Sequence, residues 1–551
     1  MTDSLIIALA QLNPTVGDVA ANVDLVRAAR ADARDQGADL VVFSELVVSG
    51  YPPEDLVLKK SFIDTVSAAV EDLAHETKDR GPGLLLSAPW VENGKLFNAA
   101  LLLDGGRVQA VIPKFDLPNY GVFDEKRLFA SGPLPGAVKF RGFKLGIMTC
   151  EDMWTSVVTK SVMEDGADIL LVLNGSPYEM DKQGLRQQLA QARVRESGLA
   201  LVYVNQVGGQ DELVFDGESF IMDPQGQVRA QLPAFASMVA AVKFNVENAT
   251  LIPIDGPMAP LPDENEAIYK ALVMGLGDYV NKNYFPGVMI GLSGGVDSAI
   301  TAAVAVDALG ADRVHCVMMP SPYTSKESLE DASEAARLLG VKLDTVSIQP
   351  AMETFDRLLK DHFVQHPMDT TEENIQARSR GLILMALSNK FGFMVVSTGN
   401  KSEMSVGYAT LYGDMCGGYN VLKDVYKTRV FELCRWRNMH HTDGLKGPKG
   451  RVVPERIITK APSAELKPNQ TDQDSLPPYD KLDDILYCLI EKEMSVRDIA
   501  ARGHDLDTTQ RVWRMLDRAE YKRRQAPPGV KITSRAFGRD RRYPLTNGYT
   551  G

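Results

Sequence analysis

From Asn245 to Asp263 the sequence reads NVENATLIPIDGPMAPLPD, dense in proline and without a helical or a strand period. Such a break predicts a linker over residues 246–262, and so a first domain of residues 1–245 and a second of residues 263–551. The 551 residues are too many for one core and, at roughly 150 residues per domain, suggest between two and four domains.

Both halves alternate short apolar runs with helical stretches. In the first, SLIIALAQL, ADLVVFSEL, GLLLSAPW, AALLLDGG, RVQAVIPK, KLGIMTC, DILLVLNG and LVYVNQVG read as strands, with helices over residues 20–36 and 184–197. Continuous apolar runs predict strands covered on both faces, while LLLDGGRVQAV predicts a hairpin turning at Asp104-Gly105-Gly106. A mixed α/β sandwich satisfies both. In the second half VMIGL, RVHCVMMP, KLDTVSI and GFMVVSTGN, separated by helices, predict a doubly wound parallel sheet with ligands at the carboxyl ends of its strands. Residues 436–454, with several glycines and basic residues, read as a loop or insertion.

Composition narrows the function. With 72 acidic against 60 basic residues the net charge is -12, which disfavours general attraction to nucleic acid or to an anionic membrane. Cys150, Cys316, Cys416, Cys434 and Cys488 are scattered and never in a C-x-x-C spacing, so neither a disulfide framework nor a zinc site is expected and a reducing cytoplasm fits. The opening MTDSLIIALAQLNP has no basic region and too short an apolar run for a span, so no export and no anchor are expected.

Two clusters carry chemistry. Ser293-Gly294-Gly295-Val296-Asp297-Ser298 lies where VMIGL ends and a helix starts, so backbone N–H groups and the helix dipole converge on a phosphate. No lysine follows the glycines, which excludes a Walker loop. Asp297 instead brings a carboxylate to the phosphates, sensible only with a hard cation such as Mg2+ between them. In the first half Glu45, Lys114 and Cys150 each end an apolar run, and strand ends share a rim. A cysteine nucleophile needs a base, which Glu45 supplies, and Lys114 with the Glu151 backbone N–H can stabilise a tetrahedral oxyanion. The half contains a single histidine, His75, which argues against a papain-type arrangement. His440 and His441, like the other four cysteines, need no function.

SGGVDS resembles the pyrophosphate loop of ATP pyrophosphatases that adenylate a substrate and displace AMP. With GluAsnIleGlnAlaArg (373–378), SerThrGlyAsnLysSerGlu (397–403), LeuTyrGlyAsp (411–414), ValTyrLysThr (425–428), ProSerAlaGluLeu (462–466) and the run 467–479, the second half resembles an NAD synthetase. FSEL, PKFDLPNYGVFDE and GIMTCEDMW make residues 4–245 similar to the nitrilase and amidase superfamily, specifically the glutaminase domain of bacterial NAD synthetases.

The resemblance implies an αββα, nitrilase-like sandwich in the first half, a doubly wound parallel sheet like that of the adenine nucleotide alpha hydrolases in the second, and hydrolysis of L-glutamine through a Cys150 thioester. Ammonia would then pass to AMP-activated deamido-NAD+, giving NAD+, AMP and pyrophosphate, with ATP as co-substrate and Mg2+ as cofactor. It assigns ATP to Gly291, Leu292, Ser293, Gly294, Gly295, Val296, Asp297, Ser298, Thr398, Lys427 and Ser463. Magnesium goes to Asp297 and Glu403, and deamido-NAD+ to Asn374, Arg378, Glu403 and Lys522. Glutamine goes to Tyr120, Ser176 and Lys182, while Glu125 is either an auxiliary carboxylate or a surface residue. Small ammonia-dependent relatives have a lysine where Leu411 stands, so that contact is unassigned. The run from Lys522 to Arg542, with eight basic residues and one acidic, is expected to be a flap over the dinucleotide pyrophosphate. A homo-oligomer, at least a dimer through the synthetase domain, is also implied. The alternatives are an amidotransferase of the same class with another acceptor, such as a nucleotide or tRNA base, and a silent regulator that binds glutamine or ATP.

Overall fold

The computed structural model describes residues 4–549 except 181, 249 and 469, in two compact units that part between residues 263 and 264. The first contains β1 (Ser4–Gln11), β2 (Leu40–Phe43), β3 (Gly83–Glu92), β4 (Lys95–Asp104), β5 (Arg107–Pro113), β6 (Val138–Phe140), β7 (Phe143–Thr149), β8 (Ile169–Asn174), β9 (Leu201–Asn205), β10 (Val207–Gln210), β11 (Leu213–Asp216), β12 (Phe220–Met222), β13 (Val228–Gln231), β14 (Met238–Glu247) and β15 (Thr250–Pro253). One sheet runs β15-β14-β1-β2-β3-β4-β5 and a second runs β13-β12-β9-β8-β7-β6, with β10 and β11 paired apart. β1, β2 and β3 are mutually parallel, as are β7, β8 and β9, and the expected β4–β5 hairpin pairs Asp104 with Arg107.

Residue alternation builds the layers. Along β1, Leu5, Ile7 and Leu9 enter the core between the sheets with Ile147, Leu171 and Val202. Ala8 and Ala10 point the other way, where small side chains let Val23, Val26, Val66 and Val70 of helices Val19–Asp35 and Lys60–Glu76 pack closely. On the far side, Met148, Leu170 and Val172 meet Val158, Val162, Ala190 and Val194 of helices Ser156–Glu164 and Gln183–Ser197. The αββα expectation holds.

The linker expectation is corrected. β14 continues to Glu247, β15 pairs antiparallel with it, and Gln231 bridges Met258. Leu251 supplies the reason, because it is buried in the core between the sheets. Residue 249 lies outside the described residues.

The second unit is a parallel sheet of β16 (Val288–Gly291), β17 (Val314–Met318), β18 (Lys342–Thr345), β19 (Met394–Ser397) and β20 (Tyr419–Asn420), in the order β18-β17-β16-β19-β20. The order reverses between β16 and β19, so the loops leaving these two strands flank one crevice. Helix Val296–Leu309, which follows β16, is buried at nearly every position, as its alanine-rich sequence requires.

Helix Lys427–Met439 takes in the first four residues of the expected 436–454 loop, which correctly begins at His440. The segment is pinned from below: buried Arg437 pairs with Asp307 at 2.6 Å and donates to the Pro448 carbonyl at 2.8 Å, while Tyr269 donates to Asp307 at 2.6 Å. Among the described residues no helix is long and apolar enough to cross a membrane, and all five cysteines are free.

Candidate active sites

In the first unit Glu45 follows β2, Lys114 follows β5 and Cys150 follows β7, and all three are buried. Lys114 Nζ lies 2.8 Å from Glu45 Oε1 and 2.9 Å from Glu125 Oε2, so one ammonium joins two carboxylates. Burial works against that charge, yet Glu125 and Glu45 together hold the lysine well above its ordinary pKa. Burial likewise pushes the Glu125 carboxyl up to about 7, against the pull of Lys114.

Glu45 Oε1 also accepts from Asn98 Nδ2 at 2.7 Å, and its Oε2 from the Gly175 N–H at 3.1 Å. A Cβ on Gly175 would stand 2.8 Å from the Tyr51 ring, so only glycine brings that N–H to the carboxylate. Tyr51 donates to Glu125 Oε1 at 3.0 Å.

Cys150 has φ +46, a left-handed conformation rare for a side-chain-bearing residue, where β7 turns into a short 3-10 segment. The turn is stapled by Asp152, which accepts from the N–H groups of Thr149 at 3.0 Å, Phe115 at 3.1 Å and Asp116 at 2.8 Å. One carboxylate thereby joins the cysteine loop to the lysine loop. Burial drives the Cys150 thiol well above the ordinary value, Glu45 adds to this, and Lys114 opposes it. The resting thiol is therefore protonated and needs a base.

Of the residues expected to bind glutamine, Tyr120 and Ser176 adjoin this cluster, through Glu151 and Gly175, and Lys182 lies beyond Tyr120. Tyr120, half exposed, donates to Glu151 at 2.9 Å. Lys182 pairs with Glu179 at 3.1 Å and lies 5.8 Å from the centre of the Phe123 ring, which in turn packs edge-on against Tyr120. Ser176 is buried, and its hydroxyl accepts from Arg186 at 3.1 Å.

In the second unit a cavity of about 310 Å3 opens between the loops after β16 and β19. Gly291 to Ser298, Thr398, Glu403, Lys427 and Ser463 all line it. In the loop the Ser293 N–H donates to Ser298 Oγ at 3.2 Å, and the Gly295 N–H to Ser293 Oγ at 3.2 Å. Gly294 has φ +82, and a Cβ there would lie 2.4 Å from the Ser328 carbonyl oxygen, so both conformation and space demand glycine.

Buried Lys427 places its ammonium between Asp297 and Glu403, 2.9 Å from the latter and in hydrogen-bond contact with the former. Asn400 donates to Asp297 at 2.9 Å and caps the helix Lys401–Val406 that carries Glu403. Burial raises the Glu403 carboxyl to about 7 despite Lys427. Ser463 donates to the Gln470 carbonyl at 2.5 Å, inside its own loop.

Asn374, Arg378 and Lys522 do not line this cavity. They gather instead on the segment 407–411: Asn374 accepts from Thr410 at 2.9 Å, Arg378 donates to the Leu411 carbonyl at 3.2 Å, and Lys522 donates to the Gly407 and Ala409 carbonyls at 2.7 and 2.6 Å.

Sequence reasoning passed over Asn98, Tyr51, Asp152 and Asn400. Asn98 left a signal, a lone amide inside the apolar run LFNAALLL, and Asp152 stands two residues after the cysteine. Tyr51 left none, because its partner Glu125 is 74 residues away.

The carbon-nitrogen hydrolase family model matches residues 6–253, and the NAD synthase model matches residues 268–526. A glutamine-dependent NAD(+) synthetase of Rhodobacter capsulatus is 49% identical over 547 residues, 99% of both chains. The chain belongs to the glutamine-dependent NAD(+) synthetases. Within that family, the Thermotoga maritima synthetase is 42% identical over 574 residues, 98% of each chain. The solved glutamine-dependent NAD+ synthetase of Acinetobacter baumannii, in complex with ADP, matches 99% of each chain at 44% identity and a TM-score of 0.79.

Proposed function

We propose that the chain uses L-glutamine, ATP and deamido-NAD+ to make NAD+, glutamate, AMP and pyrophosphate, with the chemistry divided between its two units. The buried Glu45–Lys114–Glu125 cluster facing Cys150 carries the glutaminase half of this reading. Glu45 takes the thiol proton as Cys150 attacks the carboxamide carbon of glutamine. Lys114 and the Glu151 N–H face the oxyanion, and Glu45 returns the proton to the departing ammonia. Water then hydrolyses the thioester to glutamate. Tyr120, Ser176 and Lys182 hold the glutamine.

In the second unit the deamido-NAD+ carboxylate attacks the α-phosphorus of ATP, pyrophosphate leaves into the 293–298 loop, and ammonia displaces AMP. Gly291 to Ser298, Thr398, Lys427 and Ser463 face ATP, and Asn374, Arg378, Glu403 and Lys522 face the dinucleotide. Asp297 and Glu403 would hold Mg2+, which when bound neutralises polyphosphate charge. The fit rests on Lys427: a single cation already bridges both carboxylates, and their oxygen donors suit a hard ion.

Two further readings follow. Helix Gln349–Leu359 buries none of its residues, and its Phe355 shares an apolar hollow with Leu382 and Tyr412, both about two-thirds exposed, a face suited to a second copy of this chain. Five free cysteines fit a cytoplasmic setting. The deciding experiment follows NAD+ formation from deamido-NAD+ and Mg-ATP with glutamine and with ammonium in parallel. Product with both supports the reading. Folded protein making product with neither would sink it.

A further inference from the structure

The basic run after Lys522, expected as a flap on the dinucleotide, uses most of its charges inside the unit. Buried Arg523 pairs with Glu520 at 2.8 Å and donates to the Ser405 carbonyl at 2.7 Å, at the carboxyl end of helix Lys401–Val406. Buried Lys531 pairs with Asp540 at 2.8 Å, and buried Arg541 pairs with Glu520 at 2.9 Å. Arg535 pairs with Glu493 at 2.7 Å.

At the other end of the same helix lies Lys401, a wholly buried lysine that the proposed reaction does not use. Its ammonium meets Asp424 at 2.7 Å, Glu491 at 2.5 Å, Thr533 Oγ1 at 2.6 Å and the Arg535 carbonyl at 3.1 Å. Asp424 in turn accepts from the N–H groups of Ile532 and Thr533 at 2.7 and 2.6 Å. Glu491 accepts from Tyr426, the residue before Lys427, at 2.8 Å. The segment between these anchors reaches the crevice, since Ala526 and Pro527 line the cavity and the Asn420 N–H donates to the Pro528 carbonyl at 2.8 Å.

We propose that residues 522–541 form a clamp on the helix that presents Glu403, and that Lys401 is the positioning residue that locks it. Asn400, Lys401 and Glu403 are consecutive or nearly so. A shift of Lys401 toward a loosened clamp would therefore move Asn400 off Asp297 and Glu403 off Lys427 together. A lysine suits the lock because its ammonium can donate to several acceptors from different segments at once, whereas an apolar residue would leave the buried Asp424 and Glu491 carboxylates without the cation that bridges them.

The inference rests on the reading of Glu403 as a functional carboxylate, and the experiment separates the two. In the full-length chain, Lys401→Met is compared with Lys401→Met/Asp424→Asn/Glu491→Gln, which removes the buried charges together, and with Glu403→Gln. Ammonium-dependent NAD+ synthesis, melting temperature and trypsin cleavage within residues 522–541 are measured. Lys401→Met should lower kcat at least tenfold and expose the segment to trypsin. The triple variant should regain most of the melting temperature while kcat stays low and the segment stays cleavable, which a merely structural lysine would not produce. Wild-type kcat in Lys401→Met, or a triple variant that recovers melting temperature, kcat and trypsin resistance alike, would overturn the clamp. Full activity in Glu403→Gln would overturn the role of Glu403 alone, and trypsin protection would then decide the clamp.

Discussion

Cys150, the proposed nucleophile, combines a left-handed backbone with a thiol whose pKa burial raises. Removing the sulfur should therefore remove one nitrogen source only. Cys150→Ala is expected to cut glutamine-dependent synthesis by at least about a thousandfold and to leave ammonium-dependent synthesis near the parent rate; equal loss of both would refute the division of labour. Glu125 allows a pH test. Its folded pKa of about 7 lies above the ordinary glutamate value of 4.5, so between these limits the folded state binds more protons and stability falls as pH rises. Glu125→Gln removes that slope, so its melting temperature relative to the parent should be more favourable at about pH 8 than at about pH 5. No change in the difference would show that Glu125 does not titrate there. Glu45, Lys114 and Cys150 were legible because each ends an apolar run. For Glu125 the sequence left an auxiliary carboxylate and a surface residue both open; its burial against Tyr51 and Lys114 removes the surface alternative.

At the scale of elements, the loop between β16 and helix Val296–Leu309, proposed to receive pyrophosphate, has little conformational freedom at Gly294. Gly294→Ala would place a methyl against the Ser328 carbonyl and impose a left-handed backbone costing about 1–2 kcal/mol on a residue with a side chain. Synthesis with glutamine and with ammonium should fall together, by roughly tenfold if that cost appears in the barrier. Retained activity with both would show that the loop relaxes without consequence. Strand runs and the Gly-Gly turn were readable from local pattern. The 250–258 stretch was not, since prolines masked the one apolar residue, Leu251, that carries it into the core.

At the scale of the molecule, the open helical face of the second unit leads to an association test. Leu382→Glu should convert a dimer into a monomer in sedimentation equilibrium, because a charge on an apolar contact is costly to bury; a monomeric parent, or an unchanged mass in the variant, would contradict the proposed contact. Sequence by itself determined the two α/β halves, the place of Glu45, Lys114 and Cys150 at the ends of apolar runs and the Gly-Gly turn after β16, all of which follow from periodicity and local motifs. Only the tertiary structure decided that Glu125 joins Lys114, that Asp152 ties two loops, that Lys427 bridges Asp297 and Glu403, and that the basic terminus is spent on internal pairs. The reason is physical: whether a charged side chain is solvated or paired depends on groups dozens to hundreds of residues away, and no local pattern records which of them folding brings within about 3 Å.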